Sequence, residues 1–451
     1  GFYALGMFET LPGFREFYPD AFAVRRALFE SWRRTLQLCG FEEYEGAVLE
    51  PLELYVEKSG EEIVDQLFHF TDKGGRKVAM RPEMTPTLAR MVGSRANALR
   101  RPVKWFNIGD HFRYERMQKG RTRSFTQLNV DILGESGVKA DVESISTLVS
   151  VCRRLGLKSD QFVIRVSDRD LWLMALSALG VTEAAQTGVL AVIDKVERST
   201  DEQTLESLRN AVGPDVDAEV ILTALRRLFA LKDLASMHQF FGTLQDVGPE
   251  LSERIHQRLS TWRELIDGLQ SLGSWDCCEV DLRIVRGLAY YTGFVFEAFE
   301  KGRSSRALAG GGRYDHLIQK LGGPDFPAVG WAMGDVTMMD CLNYHSLAPK
   351  LESPARVFAA MEEQTTREAM SDVGRLRDAG VGVSYSYKKA GFGKQFKEAN
   401  QLGCNWLLIY GGDEVSAGEV LVKDLATGTE QRVARDHLIR FFRERGIGDA
   451  K

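Results

Sequence analysis

The sequence predicts an α+β core built on an antiparallel sheet, interrupted by a small all-helical insertion and followed by an α/β domain with a mixed sheet. Three observations predict it. Residues 103–134 alternate at strand period on both sides of a turn, the pattern of an antiparallel hairpin. Residues 171–246 switch to helical period, in runs such as LWLMALSALG and VILTALRRLFAL, broken at Gly180, Thr200-Asp201 and Gly213-Pro214. Beyond the linker SLAPKLESP, the buried-type strands ARVFAAM and NWLLIYGG are separated by a helix and a second strand. The expected division is 7–170 and 247–346 for the core, 171–246 for the insertion, 347–354 for the linker and 355–451 for the last domain.

Composition sets the outer limits. A chain of 451 residues with 44% hydrophobic content can bury a sizeable core. It contains no apolar run of about 18 residues or more, so no membrane span is expected. The net charge of −5 argues against indiscriminate nucleic-acid binding and leaves room for an RNA partner met by local basic patches. Cys39, Cys152, Cys277, Cys278, Cys341 and Cys404 are scattered, without C-x-x-C spacing near histidines. Neither a zinc site nor a disulfide framework is expected, and a reducing cytoplasm fits best. Residues 1–6, before Met7, lack the basic run and cleavage pattern of a signal peptide and are set aside.

In chain order, residues 20–39 read as a helix: Val24, Leu28, Trp32 and Leu36 share one face, and Gly40 is placed to end it. Residues 41–55 read as a strand leading to a second element. In MRPEMTPTLAR, Pro82 and Pro86 stiffen a connection that holds Glu83 and Thr85 ahead of a helix. An ordinary helix-start box accounts for the same residues.

In the hairpin, Arg113 and Glu115 share one face of the first strand, opposite Phe112 and Tyr114. After a turn through Met117–Gly120, Arg121, Arg123, Phe125, Gln127, Asn129 and Asp131 point one way and Thr122, Ser124, Thr126, Leu128, Val130 and Ile132 the other. Guanidinium forks suit phosphate oxygens, and a ring between them suits a nucleobase face. A solvated hairpin with ordinary charge alternation fits these residues equally well.

A helix at 250–272 and a strand near 279–285 follow the insertion. Strand-like runs then flank Arg286-Gly287, with Tyr290-Tyr291 before Gly293. In LAGGGRYDHL the three glycines call for positive φ, close approach by a ligand, or a plain turn. Gly330 and Gly334 mark a strand-to-helix turn. In the last domain, a helix at 367–379, the strand GVGVSYSY and a hairpin at 419–433 turning at Thr427-Gly428 are expected. Lys388, Lys389, Lys394 and Lys397 form a basic cluster that fits a solvated helix face or an RNA contact.

Taken together, Phe112-Arg113-x-Glu115 with Arg121-x-Arg123-x-Phe125-x-Gln127, R-P-E-x-T at 81–85, R-G-x-x-Y-Y at 286–291 and G-G-R-Y-D at 311–315 resemble the class II aminoacyl-tRNA synthetases. Within that class they resemble the histidyl-tRNA synthetase family. The resemblance implies a class II catalytic sheet in which Arg113 holds the α-phosphate of ATP, Phe125 stacks on adenine, and Glu115 and Arg121 also contact ATP. It implies that Glu83 and Thr85 bind the amino group of L-histidine. Arg286 would reach the α-phosphate and carboxylate, while Gln127, Asp131, Tyr290, Tyr291 and Tyr314 surround the amino acid. The last domain resembles an anticodon-binding domain.

The implied activity is histidine–tRNA ligation: histidine and ATP form histidyl-adenylate, then histidine passes to tRNA(His). ATP would enter with Mg²⁺, with no tightly bound prosthetic group and no protein metal site, and the enzyme would be a homodimer without a membrane. Where the family carries an arginine for the γ-phosphate, this chain has Thr337; where Asp and Glu are usual, it has Ala289 and Asp131. The alternative is a non-catalytic synthetase-like paralogue, the regulatory subunit of an ATP phosphoribosyltransferase or a histidine sensor. Thr337 and Ala289 suit that alternative. The matched motifs and the last domain suit the enzyme.

Overall fold

The computed structural model describes residues 9–114, 122–244, 247–285, 290–303, 306–350 and 356–449. The chain forms two compact units, Gly1–Lys350 and Leu351–Lys451. The described strands of the first are β1 (Glu42–Glu43), β2 (Leu49–Pro51), β3 (His69–Thr71), β4 (Lys77–Met80), β5 (Val103–Phe112), β6 (Ser124–Leu133), β7 (Phe162–Asp168), β8 (Cys278–Val280), β9 (Phe294–Glu300), β10 (Ala307–Arg313) and β11 (Ala328–Gly334). Eight of them make one sheet in the order β1-β5-β6-β11-β10-β9-β7-β8. Its central pairings are antiparallel, and the outer pairs β1/β5 and β7/β8 are parallel. The expected antiparallel sheet is therefore antiparallel at its centre and mixed at its edges. A smaller sheet runs β2-β4-β3.

The hairpin of β5 and β6 pairs Val103 with Leu133 and Phe112 with Ser124. On one face of β6, Leu128, Val130 and Ile132 enter a hydrophobic cluster with Trp32 of the first helix and with Ile145 and Leu148 of the helix Val138–Arg154. On the other face Asn129 and Asp131 are buried as well. The polar side of the alternation is enclosed, so the solvated-hairpin account does not hold for β6.

The first helix, Pro19–Leu38, ends as its sequence requires: Gly40 takes φ +77°. Its N–H donates to Gln37 O and the next N–H, of Phe41, donates to Leu36 O, each at 3.0 Å. Residues 41–55 hold two short strands, β1 and β2, where one was expected, and then the second element, the start of the helix Leu52–Ser59. The helix-start box at 82–85 does not form: Met84 is the N-cap and no side chain caps the helix Thr85–Arg95.

The expected helical segment contains Arg169–Ala178, Glu183–Ile193, Asp201–Val212, Ala218–Phe229 and Leu234–Gly242. Its breaks are caps. Gly180 and Gly213 have positive φ, and Thr200 accepts from Gln203 N–H while Gln203 answers the Thr200 N–H. Leu171, Leu190 and Leu225 belong to the same cluster as Phe296 of β9, so these helices share their apolar core with the sheet. The helix Pro249–Ser271 then returns the chain to β8. The strand expected near 279–285 stops at Val280. Asp281 instead holds the Arg283 N–H and guanidinium, which bends the chain away.

The second unit has β12 (Arg356–Met361), β13 (Gly382–Tyr385), β14 (Trp406–Tyr410), β15 (Glu419–Asp424) and β16 (Glu430–Ala434) in the order β13-β12-β14-β15-β16. The first three are parallel and the last two pairings antiparallel, the mixed sheet expected. Gly428 takes φ +74° in the turn between β15 and β16. Among the described residues no single helix is long and apolar enough to cross a membrane.

Candidate active site

A cavity of about 380 Å³ opens over the centre of the sheet. Arg113, Thr122, Phe125 and Gln127 line one side, and Ala307 to Gly310 with Gly334 to Thr337 the other. The Arg113 guanidinium lies 5.0 Å from the centroid of the Phe125 ring, and its Nε donates to Pro82 O at 3.0 Å. His111 backs the same ring at 5.9 Å. Burial, with Arg81 and Arg113 nearby, lowers the His111 pKa to about 3, so the imidazole is neutral.

Strand alternation fails just before the start of β6. Thr122, expected on the far face, lines the cavity, while the Arg123 guanidinium lies 4.2 Å over Tyr114. The regular strand begins only at Ser124, and the face rule has no hold on the residues before it. Glu115, Arg121 and Arg286, expected at the same site, lie outside the described residues, as do Met117 and Ala289.

The other expected residues form a second group, which does not line this cavity. Tyr314 donates a hydrogen bond to Asp131. The Tyr290 ring stacks on Tyr314 at 5.3 Å and meets Tyr291 edge-on at 4.8 Å. Thr85 acts on the Tyr290 phenol, opposing the burial that raises its pKa. Glu83 pairs with Lys58 at 2.5 Å, and the Lys58 ammonium lies 4.7 Å over the Tyr290 ring. Glu83, Thr85, Asp131, Tyr290, Tyr291 and Tyr314 thus belong to one polar and aromatic network. Gln127 lies on the β6 face that carries Asp131, but opens to the first cavity.

Electrostatics mark this network as unusual. Burial lifts the Asp131 carboxyl from its usual 3.8 to about 7, against the opposing pull of the Tyr314 hydrogen bond. Burial raises the three tyrosines too. Tyr44 Oη, Asn107 Oδ1 and Asn129 Nδ2 are buried with no hydrogen-bond partner among the described residues.

The three glycines of 310–312 lie within β10, not in a turn, and none has positive φ. Close approach is the reason for two of them, and their neighbour is the chain itself. A Cβ on Gly311 would stand 2.1 Å from Gly330 O, and one on Gly312 would stand 2.6 Å from Phe294 O. Gly310 faces the cavity. Gly330 clears space for the acid, since a Cβ there would stand 2.1 Å from Asp131 Oδ1. Arg313, with Asp141 at 2.8 Å and Asp315 at 3.0 Å, anchors the end of β10, next to Tyr314.

Several participants carry no sequence signal. Lys58 is one basic residue in the last turn of a short helix, and His111 one polar residue in a strand. Arg306 lies on the cavity wall directly before β10.

Comparisons with known proteins identify the family. Residues 13–336 match the family model for histidyl-tRNA synthetase, and 355–445 match that for an anticodon binding domain. A histidine–tRNA ligase of Opitutus terrae is 48% identical over 98% of this chain and 99% of its own length. That of Natronomonas pharaonis is 36% identical over 95% of this chain and 96% of its own. The crystal structure of histidyl-tRNA synthetase from Nostoc sp. PCC 7120 shares the fold with a TM-score of 0.77 at 24% identity, covering 97% of this chain and 99% of the other. A Bacillus halodurans structure titled ATP phosphoribosyltransferase regulatory subunit/histidyl-tRNA synthetase reaches a TM-score of 0.71 at 20% identity, over 90% of this chain and 98% of the other. Fold alone therefore does not separate synthetase from regulator. Sequence does: the chain belongs to the histidyl-tRNA synthetase family, the ligases that join histidine to tRNA.

Proposed function

We propose that the protein activates L-histidine with ATP and passes the histidyl group to tRNA(His), using the two adjacent sites on the sheet for the two small substrates. One observation carries the assignment. Phe125 and Gln127 of β6 face the cavity, and Asp131 on the same strand belongs to the buried tyrosine network. At ~3.3 Å per residue, Phe125 to Asp131 spans about 20 Å, room for a nucleoside, a phosphate and an amino acid laid end to end.

In this reading adenine stacks on Phe125 and Arg113 holds the α-phosphate, with Glu115 and Arg121 as further ATP contacts. The histidine ammonium meets Glu83 and Thr85. Its imidazole meets Asp131 on one side and the Tyr291 phenol on the other, with Gln127, Tyr290 and Tyr314, whose phenol already donates to Asp131, beside it. The carboxylate attacks phosphorus in line, and Arg113 and Arg286 neutralise the charge that grows there. This is catalysis by positioning and charge, with no protein nucleophile. ATP is taken as its magnesium complex, and the metal belongs to the substrate.

Residues 7–170 and 247–346 make the catalytic part, 171–246 the insertion, 347–354 the linker and 355–451 the tRNA-reading part. Homodimerisation rests on the family resemblance, and a reducing cytoplasm on six unpaired cysteines. Histidine-dependent exchange between ATP and pyrophosphate is the test. Exchange is expected; tight histidine binding without exchange would overturn the enzyme reading.

A further inference from the structure

We propose that Arg306 is the cation that holds the outer phosphates of ATP. The inference rests on the ATP assignment above and concerns how this chain balances the triphosphate. Among the described lining residues, the cavity has two cations, Arg113 and Arg306, and two acids, Glu297 and Asp335. Asp335 is already engaged, pairing with Arg15 at 2.9 Å and accepting from Thr126 N–H at 3.1 Å. Arg113 sits beside the Phe125 ring, at the end of the cavity where the base and first phosphate lie. A triphosphate extending from there leaves its second and third phosphates away from Arg113.

The sheet puts Arg306 where they would lie. β10 and β11 run antiparallel with Ala309 opposite Met333, so the start of β10 lies beside the end of β11. Arg306 immediately precedes the first strand, and Asp335, Val336 and Thr337 immediately follow the second; all four line the cavity. Position 337 holds a hydroxyl 3.5 Å from Gly334 O and no charge. Arg306 therefore faces the same space from the neighbouring strand, with the fork geometry that suits phosphate oxygens. Arg306 is exposed.

The test is equilibrium binding of ATP and of AMP to the full chain and to Arg306→Ala, Arg306→Lys and the double variant Arg306→Ala/Thr337→Arg. Loss of ATP affinity by tenfold or more in Arg306→Ala, with AMP affinity within twofold of wild type, is expected, since AMP lacks the outer phosphates. Arg306→Lys should fall between. The added arginine at 337 should recover threefold or more of the ATP affinity, because the two positions face one phosphate. Unchanged ATP binding, or equal losses for ATP and AMP, would overturn the role of Arg306. Failure of the 337 arginine to recover any affinity would overturn the shared-space argument. A wild-type chain that binds ATP through Arg306 yet shows no histidine-dependent exchange would refute the ligase reading and leave this one standing.

Discussion

The phenol of Tyr314 donates a hydrogen bond to Oδ1 of Asp131, and both groups lie beneath the surface, at 2% and 6% exposure. The acid comes from the central hairpin and the phenol from the residue that directly follows β10. Between them stands β11, where Gly330 lacks the Cβ that would collide with the carboxylate.

Asp131 should give the fold a measurable pH dependence. Its carboxyl titrates near 7 when folded and near 3.8 when free, so between those values the folded chain keeps a proton that the unfolded chain has released. Stability from this group is present at low pH and declines as pH rises through that window, by at most about 1.4 kcal/mol per pH unit. Asp131→Asn removes the titration. Urea unfolding at about pH 4.5 and pH 7 should show wild type losing stability relative to the variant; parallel behaviour would contradict a raised pKa.

The same residue should separate the two substrates. Asp131→Ala is expected to raise KM for histidine tenfold or more and KM for ATP by less than threefold, because a site built for polar edges is left unpaired on one side. Initial rates of pyrophosphate exchange measure both. Equal rises would remove Asp131 from histidine recognition.

Glu83, now paired with Lys58, is expected to take the substrate ammonium. Glu83→Gln should weaken histidine binding about tenfold or more, the order of a lost charge-assisted contact. Imidazole propionate, which lacks the amino group, should bind wild type and variant alike. An equal loss for both compounds would show that Glu83 acts through the shape of the pocket instead.

Neighbouring glycines should differ sharply. Gly311→Ala drives a methyl to 2.1 Å from a backbone carbonyl, whereas Gly310→Ala meets nothing closer than 3.4 Å. Gly311→Ala should therefore destabilise by about 2 kcal/mol or more. Gly310→Ala should fold normally and weaken ATP binding by narrowing the cavity. Thermal unfolding and ATP titration distinguish them, and equal unfolding temperatures would refute the packing argument.

In the second unit, Lys388, Lys394 and Lys397 are exposed on and before the helix Phe392–Gln401, while buried Gln395 ties that helix to Met361 O and Ala390 O. Replacing the three lysines with alanine should weaken tRNA(His) binding and flatten its salt dependence, leaving pyrophosphate exchange unchanged. An unaltered salt slope would make them an ordinary solvated face.

Much of the architecture was legible because local rules suffice. Every-fourth-residue apolar spacing and Gly40 define the first helix, and alternation defines β6, because a chain with one apolar face has only one way to bury it. Thr200, Gly180 and Gly213 mark helix ends through their own backbone chemistry. Arg113, Phe125, Gln127, Asp131 and Tyr314, which the fold gathers into two groups, stand in motifs with fixed spacing.

Other features depend on partners far away in sequence. Nothing near Lys58 indicates that it will pair with Glu83, or near Arg306 that it will line a cavity with Arg113. The run Gly310–Gly312 calls for positive φ, a ligand or a turn until Trp331 and Phe294 are brought against it. Sequence alone settled which faces are polar, since side-chain direction follows from backbone period. Only the tertiary fold decided that the polar face of β6 is enclosed and its acid raised to about 7, because desolvation depends on everything packed above it.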